Sequence, residues 1–105
     1  MEDKNIMTIN KQLEGTKLTI ALEGRLDTTT APQLEASVNE SIESASDLEF
    51  DFGALEYVSS AGLRVMLSAK KTMDKQGGNM VIKNVNEQIM EVFEITGFND
   101  ILNIE

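Results

Sequence analysis

Residues 47–71 read DLEFDFGALEYVSSAGLRVMLSAKK. The first six alternate: Leu48, Phe50 and Phe52 fall on one side, Asp47, Glu49 and Asp51 on the other. A period of two is the signature of a strand with one buried face. The period then changes. Leu63, Met66, Leu67 and Met73 recur at helical spacing, and the run stops at Gly77-Gly78. Between them GALEYVSS reads as a loop, with Ser59 and Ser60 where the helix begins. A strand leading through a loop into an amphipathic helix is the building unit of an α/β fold.

Working outward, residues 6–13 alternate loosely, with Met7, Ile9 and Leu13 on one side. Glu14-Gly15-Thr16 supplies a turn, and KLTIALEG then sets Leu18, Ile20 and Leu22 against Lys17, Thr19 and Glu23. Two such runs around a short turn predict an antiparallel hairpin. In RLDTTTAPQLEASVNESIESAS, Thr30 and Gln33 have the spacing of a capping box, and Pro32 falls in the first turn, where its missing N–H costs little. Leu34, Val38, Ile42 and Ala45 then mark an amphipathic helix of about four turns. Further on, NMVIKNV predicts a strand, with Asn84 and Glu87 as N-cap and N3 of a last helix. That helix turns Ile89, Val92 and Phe93 inward and ends before Gly97, and DILNI predicts a final short strand.

The predicted order is β-β-α-β-α-β-α-β. Strands joined through helices pair in parallel by right-handed crossovers. These strands alternate rather than being apolar throughout, so helices are expected mainly on one face of a mixed sheet. The expectation is a single α/β domain over residues 1–105.

Composition narrows the function. The chain has a net charge of −9, no Cys and no His. An acidic surface repels nucleic acid and anionic lipid; it serves solubility, and the sharper alternative is attraction to a basic patch on a partner protein. Without Cys or His, no tight metal site and no cofactor are expected, and the usual general base is missing. The start, MEDKNIMTIN, lacks the basic region and apolar stretch of a signal peptide, and no long uncharged apolar run is present. A cytoplasmic protein that neither spans nor inserts into a membrane is expected.

Several motifs dissolve on inspection. Asp51-Phe52-Gly53 spells the metal-binding triplet of kinases, but the glycine-rich loop that must accompany it is missing. Gly77-Gly78 has no Gly-Lys phosphate loop around it and reads as a turn. Glu23, Asp27 and Asp51 fit solvated strand ends and exposed strand faces better than an acid–base pair. Ser59 and Ser60 have no base to activate them and no Gly-x-Ser-x-Gly elbow, so no catalytic residue is assigned. A Ser here can cap the helix. It is also placed where a phosphate is favoured by the positive helix end. Gly62 in the first turn suits close approach of another surface.

DFGALEYVSSAGLRVMLSAKK resembles the central segment of STAS-domain proteins, specifically the bacterial anti-sigma factor antagonists, whose signature is Asp-Ser-Ser/Thr-Gly-Leu at a helix start. GRLDTTTAPQLE resembles the family's Gly-x-Leu-Asp loop and first helix. The resemblance covers nearly the whole chain, and with the chain ending at Glu105 the family's further C-terminal helix is expected to be shortened or missing. It implies a partner switch in which the unmodified protein binds an anti-sigma factor that is a serine kinase, releasing a sigma factor. Phosphorylation ends the binding, and a serine phosphatase restores it. Matching on Gly62-Leu63 puts the phosphate on Ser60; Ser59 stands where the family has Asp, and Ala61 where it has the second Ser or Thr. Asp27 matches the acidic residue beside the phosphosite, and Arg64 is the cation within the motif. The partner surface so implied comprises Asp27, Ser59, Ser60, Ala61, Gly62 and Arg64, with oligomeric state left open. The alternative is a STAS subunit of a membrane transporter complex, in which no phosphorylation is required.

Overall fold

The computed structural model describes residues 7–105. Its elements are β1 (Met7–Glu14), β2 (Lys17–Leu26), α1 (Ala31–Ser41), β3 (Asp47–Val58), α2 (Ser60–Lys75), β4 (Asn79–Lys83) and α3 (Glu87–Thr96). Short 3₁₀ turns follow α1 (Ile42–Ser44) and α3 (Phe98–Asp100). The sheet order is β1-β2-β3-β4. β1 and β2 form the antiparallel hairpin, and the other neighbours are parallel. This is the expected mixed α/β sheet. Residue 6, assigned to the first strand from sequence, lies outside the described residues.

Register explains the core. Leu18, Leu48 and Met80 lie side by side across three strands, and Ile20, Phe50 and Ile82 form the next row. All six are buried, because a period of two puts each row on one face. The helices close that face with Leu34 and Val38 from α1, Met66, Ala69 and Met73 from α2, and Ile89 and Phe93 from α3. Phe52 meets Phe50 edge-on at 6.2 Å and Phe93 at 6.3 Å, tying α3 to the sheet. The other face stays polar. There Glu49 lies 3.4 Å from both Lys17 and Lys83.

Five local expectations change. The segment GALEYV is strand, not loop, since β3 runs to Val58. It stays paired to β2 through two register slips, between Ala21 and Glu23 and between Gly24 and Arg25. Each slip inserts an extra residue in β3, so Phe52, Leu55 and Val58 are buried at intervals of three and the period of two is lost. Asn84 is not the cap of α3. It sits at φ 62° and its amide donates to Asp51 Oδ1 at 2.9 Å. The cap is Asn86, whose Oδ1 accepts the Ile89 N–H at 2.9 Å while its amide donates to the Leu55 carbonyl. Thr30 makes no side-chain cap, and α1 is shorter than four turns, ending at Ser41. Finally, DILNI forms one parallel bridge, Ile82 with Ile104, instead of a strand.

Candidate functional site

Parallel pairing ends β2 and β3 together. Leu26 is the register partner of Val58, and the Ser59 N–H donates to the Leu26 carbonyl at 2.9 Å. Whatever follows Leu26 must therefore lie beside whatever follows Val58. Those segments are the loop 27–30 and the start of α2.

Asp27 organises the first of them. Its Oδ1 accepts from the Thr29 hydroxyl at 2.7 Å, the Thr29 N–H at 3.0 Å and the Thr30 N–H at 3.1 Å. Its carbonyl accepts from the Ala31 N–H at 2.8 Å. The Asp27 side chain thus fixes the turn that leads into α1, while the helix itself has no side-chain cap. The Thr29 hydroxyl holds the Asp27 carboxyl below its ordinary value; a smaller effect of burial opposes this, and the N–H groups of Thr29 and Thr30 reinforce it. Thr30 is buried, and its hydroxyl donates to the Arg25 carbonyl and accepts from the Asp27 N–H, both at 2.8 Å. Loop and strand end are locked together.

Arg25 and Tyr57 are register partners. The Arg25 guanidinium lies 4.4 Å over the Tyr57 ring, and its Nε is 3.8 Å from Asp27 Oδ2. Sequence reading missed both residues. The signal was their place, each two before a motif residue, Asp27 and Ser59. Their meeting depends on the bulged register, which no local pattern encodes.

The two serines differ. Ser59 is the N-cap of α2: its backbone is extended, its Oγ accepts the Gly62 N–H at a long 3.4 Å, and its carbonyl accepts the Leu63 N–H at 2.9 Å. Ser60 is the first residue of the helix and is exposed. Capping and an accessible hydroxyl therefore belong to different residues. Ala61 is half-buried and Gly62 buried. A Cβ on Gly62 would lie 2.6 Å from Leu26 Cγ and 3.0 Å from Val58 Cγ2. The close approach expected at Gly62 is thus to the protein's own strands, and this glycine supports the surface from beneath. Arg64 is exposed and, with Thr28, Ala31, Pro32, Glu35, Ala61 and Val65, lines a depression of about 240 Å³ between α1 and α2.

Glu23, Asp27 and Asp51 are engaged separately. Glu23 accepts from the Asn10 amide at 3.3 Å. Asp51 Oδ1 accepts from the Asn84 amide and the Gly53 N–H, each at 2.9 Å, and these bonds, the amide foremost, lower its pKa against a smaller effect of burial. Asp51-Phe52-Gly53 is thus part of a bulged strand. Among the described residues, no three acidic groups are arranged to hold a metal ion, and no helix is long and apolar enough to cross a membrane.

Together these features define a small α/β module in which parallel strand ends present an exposed serine on a capped helix. Residues 8–105 match the STAS domain, and the chain belongs to that family. It is 32% identical over 100 residues to the anti-sigma-B factor antagonist of Bacillus subtilis (strain 168), covering 95% of this chain and 91% of that protein. Its fold is similar to an anti-sigma factor antagonist from Mycobacterium paratuberculosis, with TM-score 0.86 at 19% identity, covering 99% and 89% of the two chains. It is also similar to the phosphorylated form of the Bacillus cell fate determinant SpoIIAA, with TM-score 0.73 at 18% identity, covering 95% and 91%.

Proposed function

We propose that this chain is an anti-sigma factor antagonist, a cytoplasmic binding module without catalysis of its own. Unphosphorylated, it binds an anti-sigma factor that is a serine kinase and so releases a sigma factor. That kinase phosphorylates Ser60, binding ends, and a serine phosphatase restores it. The observation that carries this reading is the division of labour between the serines: Ser59 holds the helix start, and Ser60 offers an exposed hydroxyl on its first turn. The name of the Bacillus subtilis relative supports the same reading. On this reading Asp27, Ser59, Ala61 and Arg64 join Ser60 in the binding face, and Gly62 lets the start of α2 pack closely on Leu26 and Val58.

The switch follows from charge. A phosphoserine adds about −1.5 to −2 charge at pH 7, on a protein already at −9. In an interface that charge must be desolvated or paired. The decisive experiment is capture of the partner from the native cell extract, then labelling of wild type, Ser59→Ala and Ser60→Ala by that partner. Labelling should persist in Ser59→Ala and vanish in Ser60→Ala. Ser60→Ala should still bind, and Ser60→Asp should bind at least about tenfold more weakly, a modest demand for an unpaired carboxylate. Undiminished labelling of Ser60→Ala would move the phosphate elsewhere. No labelling, with normal binding of Ser60→Asp and capture of a permease, would favour the transporter-subunit role, for which Ser59 in place of the family's Asp is the motive.

A further inference from the structure

Arg25 and Arg64 are the two arginines of the chain. Arg25 is occupied, stacked on Tyr57 and facing Asp27. Arg64 makes no ion pair among the described residues. It lies four residues after Ser60 within α2, both are exposed, and residues four apart on a helix are neighbours on one face. A guanidinium presents a planar fork of donors that matches phosphate oxygens. The acids at this end are Asp27, already bonded to Thr29 and Thr30, Glu56 near the end of β3, and Glu35, which shares Arg64's depression.

We propose that Arg64 is a built-in receiver for a phosphate on Ser60, pairing with it one helical turn away in the free protein. This rests on the reading that Ser60 carries phosphate, and it adds a chain-specific element to the off state. A partner that met the modified surface would have to break the Ser60 phosphate–Arg64 pair as well as desolvate the phosphate. Without phosphate, Arg64 lines the depression it shares with Glu35 and is available to the partner.

The test needs no kinase. Phosphoserine is placed at position 60 during translation, and the phosphate is titrated by ³¹P NMR in the otherwise wild-type protein and in Arg64→Gln. A neighbouring guanidinium favours the dianion. The second phosphate pKa should therefore be lower with Arg64 than with Gln by about 0.3 of a pH unit, the scale of an exposed pair at this spacing. The difference should shrink in high salt, and Arg64→Lys should keep part of it. The positive helix end acts on the phosphate in every variant, so it cancels in the comparison. Arg64 is exposed, so these variants should fold, and a matching circular dichroism spectrum checks that they do. Equal pKa values in the wild-type and Gln proteins would overturn the pairing. Because the phosphate is installed synthetically, that failure is separate from loss of kinase labelling, which bears on Ser60 as the acceptor.

Discussion

Gly62→Ala tests how closely α2 is pressed on the strands that carry the site. The added methyl would lie 2.6 Å from Leu26 Cγ, 2.9 Å from Leu26 Cδ2 and 3.0 Å from Val58 Cγ2. Carbon atoms rest at about 3.5–4.0 Å, so the worst contact must open by roughly 1 Å. Leu26 is fully buried and Val58 nearly so, which leaves neither side chain free space to retreat into. Overpacking of this kind costs about 1–3 kcal/mol. Replacing Gly by Ala within a helix returns up to about 1 kcal/mol, and less in a first turn. The net is a loss of about 1–2 kcal/mol, or on the order of 5–10 °C in Tm for a domain of this size. Urea unfolding followed by circular dichroism reads it as a lower midpoint at unchanged slope. Ser68→Ala, on the exposed side of the same helix, is the control and should be neutral or slightly stabilising. Leu26→Ala should cost less in the Gly62→Ala background than in wild type, because the new methyl fills part of the vacated space. A Gly62→Ala protein as stable as wild type, with additive behaviour in the double variant, would refute the reasoning.

Three further outcomes follow from the same geometry. Ser59→Ala should cost about 0.5–1 kcal/mol, the low end for a lost cap, because its bond to the Gly62 N–H is long at 3.4 Å; Ser60→Ala should leave the urea midpoint unchanged. Thr30→Val keeps the shape of a buried residue but leaves the Arg25 carbonyl and the Asp27 N–H without their partner, and should destabilise by about 1–3 kcal/mol in the same assay. The folded pKa values of Asp27 and Asp51 lie below the ordinary 3.8, so the unfolded chain binds more protons in acid and stability falls with falling pH. That contribution is complete above the ordinary value and is lost as pH drops through it toward the lower folded values. Asp27→Asn should therefore show a shallower acid-side loss of urea midpoint than wild type, and an identical acid profile would remove Asp27 from the account.

The parts of the fold legible in the sequence share one property, a short repeating period. Leu18, Ile20 and Leu22, then Leu48, Phe50 and Phe52, alternate and are all buried, as are Leu34, Val38, Ile42 and Ala45 at helical spacing. Gly97 ends α3 at φ 81°, as its position after the last turn predicts. Periodicity is local chemistry: it depends on residues two to four apart, and the chain carries that information along its length. What needed the tertiary structure was set by partners far apart in sequence. GALEYV became strand because β2 runs beside it, and the bulges that keep the two paired erased the alternation. Thr30 and Asn84 look like caps by spacing, yet Thr30 spends its hydroxyl on the β2 end and Asn84 its amide on Asp51, thirty-three residues away in the chain. At the candidate site, Asp27, Ser59, Ser60, Ala61, Gly62 and Arg64 are named by motif resemblance alone. The bond from the Ser59 N–H to the Leu26 carbonyl and the stacking of Arg25 on Tyr57 come from parallel pairing with an irregular register. A serine's role likewise turned on where the first helical residue falls: position 59 faces the helix N–H groups and position 60 faces solvent, a difference of one residue that spacing alone leaves open.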